Sequence, residues 1–269
     1  MRSLDAAWEN QPNIVIGMLH LPPLPGSPLS RLRLSEIRDL LRRDVGALVE
    51  GGVHGLMMEN FGDVPFYPKR VPAYVIAQMT ALASDVRAQS SLPLGINVLR
   101  NDGRGALAVA HAAGATFIRV NVLCGARVAD QGLIEGIAHD LLRERALLGA
   151  ADIRIFADVD VKHSAPLAER HLEDEVDDLA HRALADAVVV SGAGTGKKTD
   201  PAKARRVKAA APGLPLFIGS GITAETIGDF AGIADGFIVG TSLKKDGVAT
   251  NPVEPARVST LMGKLGRGG

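Results

Sequence analysis

The residues best equipped for chemistry stand together in Phe156-Ala157-Asp158-Val159-Asp160-Val161-Lys162-His163. Charged and apolar side chains alternate there, as in a strand whose successive side chains point to opposite faces. That alternation puts Asp158, Asp160 and Lys162 on one side and Val159 and Val161 on the other. A carboxylate beside a lysine can move a proton, while the lysine forms a Schiff base or holds a phosphate or an enolate. His163 adds a group that titrates near neutrality. The competing interpretation is a salt-bridged cluster that closes the mouth of a barrel.

Two further segments end an apolar run on a polar side chain. Gly17-Met18-Leu19-His20 leads into a proline-rich stretch, so His20 is either a general acid–base or a hydrogen-bonded side chain under a stiff loop. Glu59-Asn60-Phe61-Gly62-Asp63 supplies a carboxylate that could take a proton, orient a sugar hydroxyl or reach a metal. Asn60, Asn97, Asn121 and Ser191 occupy comparable positions and are candidates for binding substrate. Arg119 is expected to pair with a buried carboxylate, and Cys124 to be a small packed side chain rather than a nucleophile.

Three successive segments have the small residues that let backbone N–H groups approach an anion. They are Ser191-Gly192-Ala193-Gly194-Thr195-Gly196, Gly219-Ser220-Gly221-Ile222 and Gly240-Thr241-Ser242. Gly192, Thr195, Gly196, Gly219, Ser220, Gly221, Gly240, Thr241 and Ser242 are the expected phosphate contacts. Tight turns alone would also need glycine, but three adjacent loops favour a phosphate cradle. Gly192 to Thr199 superficially resembles a nucleotide-binding loop of the form G-x-x-x-x-G-K-[ST]. The match fails at Ser191 and again at Lys198, so a nucleoside triphosphatase is the weaker alternative. Lys197 and Lys198 would neutralise a phosphate or simply be solvated.

Positioning these residues requires a scaffold that brings many strand ends to one place. Eight short apolar runs recur: Ile14–Leu19, Gly55–Met58, Leu94–Val98, Phe117–Val120, Ile153–Ala157, Ala187–Val190, Leu216–Ile218 and Gly236–Val239. Segments of helical spacing lie between them, one marked by Leu34, Ile37, Leu40, Leu41, Val45 and Leu48 and another by Leu133, Ile134, Ile137, Leu141 and Leu142. Asp200-Pro201 predicts a helix start, Thr223 a second, and Gly114 a helix end. Eight strand–helix units predict an α/β fold, a single (β/α)8 TIM barrel over residues 1–269. A Rossmann-like sheet is disfavoured because no G-x-G-x-x-G follows the first strand.

The whole sequence agrees with that scaffold. Its 269 residues are 46% hydrophobic, enough for a full core, and Lys+Arg and Asp+Glu are equal at 30 each. A net charge of zero gives no electrostatic footprint for nucleic acid. The single cysteine suits a reducing compartment, and the cytoplasm is the expected location. Neither a secretory signal nor an apolar run of spanning length is apparent, and peripheral membrane contact, though compatible with the sequence, has no feature in it to support it. No zinc spacing occurs, so no metal ligand set and no cofactor are predicted, although a Mg²⁺ bridging Glu59 or Asp158 to a substrate phosphate is compatible with those carboxylates. Barrels commonly pair through helices or rim loops, so a homo-oligomer is expected.

Taken together, these segments resemble the BtpA/SgcQ family. The resemblance is carried by Gly17-Met18-Leu19-His20-Leu21-Pro22-Pro23-Leu24-Pro25-Gly26-Ser27-Pro28 and by Glu59-Asn60-Phe61-Gly62-Asp63. It continues through Ala157-Asp158-Val159, Val161-Lys162-His163, Ser191-Gly192, Thr195-Gly196, Ile218-Gly219-Ser220-Gly221 and Val239-Gly240-Thr241-Ser242-Leu243-Lys244. It implies a ribulose-phosphate-binding type of barrel. One branch of the family is named for stabilising photosystem I at cyanobacterial thylakoids, and another resembles products encoded beside sugar-uptake genes. The resemblance gives no settled reaction. The phosphate cradle facing acid, base and cation candidates on strands one, two and five predicts an isomerase, epimerase or lyase acting on a phosphorylated sugar or related small metabolite. The alternative from another class is a non-catalytic assembly factor related to photosystem I biogenesis.

Overall fold

The computed structural model describes residues 4–192, 194 and 197–265. Eight parallel strands close into a barrel in the order β1 (Ile14–His20), β2 (Gly55–Glu59), β3 (Leu94–Asn97), β4 (Phe117–Val120), β7 (Arg154–Val159), β9 (Ala187–Val190), β10 (Leu216–Ile218) and β11 (Gly236–Val239), which pairs back to β1. Between them run α1 (Leu34–Glu50), α2 (Ala73–Gln89), α3 (Gly103–Ala113), α4 (Ala138–Leu147), α5 (Leu172–Asp177) and α6 (Pro201–Ala210), and α7 (Pro255–Leu265) follows the last strand. The expected α/β TIM barrel is the observed one. Asp200 caps α6 by accepting from the Ala202 N–H at 2.8 Å, and Gly114 ends α3 at φ +72°.

Strand alternation sorts the core into two parts. Outward side chains such as Val15, Leu56, Ile118 and Val188 pack under the helices. Inward side chains fill the barrel, with Phe117, Phe156 and Phe217 stacked in its lower half. Trp8 plugs the bottom, its ring centre 5.5 Å from that of Phe117 and its Nε1 donating to the His54 carbonyl at 2.7 Å. Gly95 makes room for this layer, since a Cβ there would lie 2.2 Å from the Phe117 ring.

Two local expectations are corrected. Leu133 and Ile134 do not begin a helix; they lie in β6 (Gly132–Glu135), which pairs antiparallel with β5 (Ala126–Ala129). β8 (Ser164–Pro166) completes a small three-stranded sheet on the other edge of β5. Asp130 and Gln131 make the hairpin turn, Gly132 follows it at φ +92°, and exposed Leu133 beside buried Ile134 has the period of a strand. α4 starts only at Ala138. After β10, the expected helix near Glu225 is reduced to a turn and a single 3₁₀ segment at Ile227–Phe230, although Thr223 Oγ1 does accept from the Glu225 N–H at 3.2 Å.

Candidate active site

The last inward positions of the first four strands form one polar row. His20 is in register with Glu59, Glu59 with Asn97, and Asn97 with Arg119. Below the row the barrel is apolar, so these groups sit at the floor of the mouth on the carboxyl side of the strands, where barrel chemistry is sited. Asn97 Nδ2 donates to Glu59 Oε2 at 2.6 Å and fixes that carboxylate. Arg119 continues the row to β7 by donating from Nε and Nη2 to the two oxygens of Asp158 at 2.8 and 3.1 Å. Asn121 Nδ2 donates to Asp158 Oδ2 at 2.6 Å.

Above this floor is a cavity of about 470 Å³. His20, Glu59, Asn121, Lys162 and His163 line it, as do Gly219, Ser220, Gly221, Gly240, Thr241 and Ser242. The structure thus brings together strand-end and loop residues that are up to 222 positions apart in the chain (20 to 242). Asn60, Asn97, Asp158, Ser191 and Gly192 are close by but do not form the wall. Asn60 Oδ1 accepts from the Leu99 N–H at 2.7 Å and its Nδ2 donates to Asp63, so it shapes the loops after β2 and β3. Gly192 is a close-approach glycine, because a Cβ would lie 2.4 Å from the Lys197 and Lys198 carbonyl oxygens. Ser191 Oγ is buried without a partner among the described residues. Thr195 and Gly196 lie outside the described residues.

Asp160 departs from the expected alternation. It adopts φ +49°, which breaks the strand period just past β7. Its carboxylate is held instead by Arg127 at 2.5 Å and Lys203 at 2.5 Å, away from the cavity. Lys162, two residues on, does reach the cavity wall. Burial, followed by the nearby Arg119 charge, pushes its pKa down to about 8, against the pull of Glu59 and Asp158.

Burial also pushes His20 down to about 4, so at neutral pH it is an uncharged imidazole. Its ring stacks on Phe61 with centroids 4.4 Å apart, and its Nδ1 lies 3.2 Å from the Ala249 carbonyl oxygen. That carbonyl can only accept, which assigns the proton to Nδ1 and leaves Nε2 as an acceptor. Burial and the Arg100 and Lys162 charges lower the pKa of His163, which is exposed at the rim. Burial works against the Arg119 charge, and the Asp158 carboxylate more than compensates, so the guanidinium pKa is raised. Cys124 lies apart from this cavity, and burial pushes its thiol up to about 11, which leaves it protonated and unreactive at neutral pH.

The glycine loops are stitched to one another by their own hydroxyls. Ser220 Oγ accepts from the Gly192 N–H at 2.8 Å and donates to the Lys197 carbonyl at 3.1 Å. Ser242 Oγ donates to the Ile222 carbonyl at 2.6 Å. These serines therefore hold the loops in place, while the backbone N–H groups of Gly221, Ile222, Thr241 and Ser242 have no partner among the described residues. Gly221 is at φ +71°, and a Cβ there would lie 2.5 Å from the Lys197 carbonyl oxygen. Glycine is thus required twice at this position, by conformation and by space.

Several wall residues were not among the expected site residues. Arg100, just past β3, is buried and donates from Nη2 to the Lys162 carbonyl at 2.5 Å. Its place after an apolar strand was the available signal. Arg257 enters from the first turn of α7, beside Thr223 and Ser242, and a strand-end search cannot find it. Phe61, Val64, Phe66 and Leu99 form an apolar side of the wall. Among the described residues, no three His, Cys, Asp or Glu side chains converge as a metal-binding group. Nor is any described helix long and apolar enough to cross a membrane.

Fold and site together define a TIM barrel with an open-mouthed cavity over a polar floor. Solved barrels of similar shape include thiamine phosphate pyrophosphorylase from Pyrococcus furiosus, with TM-score 0.57, 11% identity and 96% of each chain covered. N-(5'-phosphoribosyl)anthranilate isomerase from the same organism gives TM-score 0.55 and 12% identity over 94% of this chain and 98% of that one. At such identities the likeness is one of fold. Sequence is more specific: the BtpA family matches residues 11–267, and the chain belongs to it. An uncharacterized protein of Thermococcus kodakarensis is 45% identical over 95% of both chains. The Photosystem I biogenesis protein BtpA of Synechocystis is 43% identical over 95% of this chain and 89% of its own.

Proposed function

We propose that the protein is an enzyme of phosphorylated sugars or related small metabolites, of the isomerase, epimerase or lyase type. The observation that carries this reading is the convergence, in one cavity, of the loops at Gly219–Thr223 and Gly240–Ser242 with Glu59, Asn121 and Lys162. Unpartnered backbone N–H groups in glycine loops after the last two barrel strands suit a phosphate dianion. The phosphate would anchor the substrate and set its carbon chain over the polar row. Glu59, fixed by Asn97, is the group placed to accept a proton. Lys162, with Arg119 and Arg100 beside it, is the cation placed to stabilise an enolate or alkoxide. His20, neutral and with Nε2 as acceptor, would orient a hydroxyl rather than supply charge. Asp158 acts one step back, as the carboxylate that holds Arg119 and Asn121.

Thermal-shift titration tests the anchor. Millimolar pentose and hexose phosphates should raise the melting temperature, and the same sugars without phosphate should not. Proton transfer is tested by NMR in deuterated water, where carbon-bound hydrogen of a bound sugar phosphate should exchange. Absence of both effects across a panel of sugar phosphates would sink the reading.

A second reading follows from the name of the Synechocystis relative: a non-catalytic assembly factor. It predicts that Lys162→Ala leaves the protein's role in cells intact, whereas the enzymatic reading predicts loss. A nucleoside triphosphatase has less support, because Lys197 and Lys198 are exposed and stand outside the cavity wall.

A further inference from the structure

The cavity is larger and less polar than a short phosphorylated sugar needs. Its volume of about 470 Å³ falls in the range of ~300–1,000 Å³ that accommodates drug-sized ligands. The loops after β2 and β3 supply Phe61, Val64, Phe66 and Leu99 to the wall, and in the ring of strands β3 stands opposite β10. A phosphate held at Gly221 thus faces an apolar and aromatic wall across the mouth. Phe61 has His20 stacked on its ring, whereas Phe66 is half-buried and stacks on no other described ring. A half-buried aromatic side chain in a cavity wall provides a surface for a flat ring.

A second feature lies beside the apolar wall, past the end of β4, the neighbour of β3. Asn121 lines the cavity and is 3% exposed. Its Nδ2 is engaged by the Asp158 carboxylate, which can only accept, so the assignment of its Oδ1 is fixed. That Oδ1 is buried with no partner among the described residues. A buried acceptor left unsatisfied is costly, and a ligand hydroxyl or N–H would satisfy it. The cavity therefore has an anion cradle on one side of the ring, and a hydrogen-bond acceptor next to an aromatic wall on the other.

We infer that the ligand is a sugar phosphate carrying a flat ring, of the nucleoside monophosphate class, with the ring against Phe66 and a sugar hydroxyl on Asn121 Oδ1. This rests on the proposed phosphate anchor and names the kind of molecule that anchor holds. A ring adds buried apolar area and stacking beyond it, so the ringed ligand should bind at least tenfold more tightly than the bare sugar phosphate.

Isothermal titration of the full chain with ribose 5-phosphate, adenosine 5′-monophosphate, uridine 5′-monophosphate and the two unphosphorylated nucleosides tests this. The expected result is at least one monophosphate bound at least tenfold more tightly than ribose 5-phosphate, with the nucleosides weaker than either. Phe66→Ala should remove that advantage and leave the Kd for ribose 5-phosphate within twofold. Asn121→Leu serves as a second variant that keeps the approximate shape and removes the acceptor; it should weaken every ligand that carries a ribose hydroxyl, and unchanged affinities would overturn the contact at Oδ1. Ribose 5-phosphate binding as tightly as both monophosphates would overturn the ringed-ligand inference alone. No binding by any phosphorylated compound would overturn the phosphate anchor with it. A monophosphate advantage that survives Phe66→Ala would also overturn the assignment.

Discussion

Arg119 grips Asp158 with two parallel hydrogen bonds inside the barrel, and both side chains are almost fully buried. The pair bridges neighbouring strands β4 and β7 at the floor of the cavity. Neither charge can be removed alone without leaving the other unsatisfied. Asp158→Asn should therefore destabilise the fold by about 3–5 kcal/mol, the usual range for breaking a buried pair. Urea denaturation of the variant against the wild type measures this. A loss under 1 kcal/mol would mean that Arg119 finds another partner or water.

At Gly221 the prediction concerns the cradle. An added methyl group meets a backbone carbonyl, which cannot swing away as a flexible side chain would, and φ +71° adds strain. Gly221→Ala should cost roughly 1–3 kcal/mol of stability and displace the segment at Lys197. Gly213→Ala, where a Cβ meets nothing within 4 Å, is the control and should be near neutral. Under the proposed function, only the Gly221 variant should also lose the thermal shift given by sugar phosphates.

Much of the architecture was legible because strand runs and their alternation are local properties. The eight barrel strands, the cap at Asp200 and the helix end at Gly114 follow from side-chain period and backbone preference. The hairpin of β5 and β6 was missed because Leu133, Ile134, Ile137 and Leu141 also fit a helical period, and only pairing across Gly132 decides between them. Asp160 leaves the side its alternation predicts because the strand ends at Val159 and the backbone turns to positive φ at the next residue. Arg257 and the apolar wall were not legible at all, since their relation to the cavity depends on how loops and α7 return over the barrel.

His20 makes acid sensitivity predictable. Its folded-state pKa of about 4 lies below the ordinary 6.5, so the unfolded chain binds the extra proton first. The stabilisation it contributes is fully present above pH 6.5 and is lost as pH falls from 6.5 toward 4. At ~1.36 kcal/mol per pH unit, the loss reaches up to about 3 kcal/mol. Melting temperatures from pH 7 to pH 4 should fall more steeply for the wild type than for His20→Asn. Parallel curves would show that another group governs this range.

Lys162 should separate stability from function. Its folded-state pKa of about 8 lies below the ordinary 10.5, so between these values the unfolded chain holds the proton more strongly. Stability linked to this group therefore rises with pH through that window, and at pH 7 the charged ammonium is a net cost. Lys162→Met, which keeps the stem and removes the charge, should raise stability at pH 7 by about 1–3 kcal/mol. The advantage should disappear as pH approaches 10.5. Binding should move the other way: the wild type should hold sugar phosphates less tightly above pH 8, and the variant should bind weakly at every pH. A lysine placed only to support the fold would lose stability and binding together on substitution. Denaturation and ligand titration on the same two proteins, at pH 7 and pH 9.5, therefore distinguish a cation kept for its chemistry from one kept for its packing.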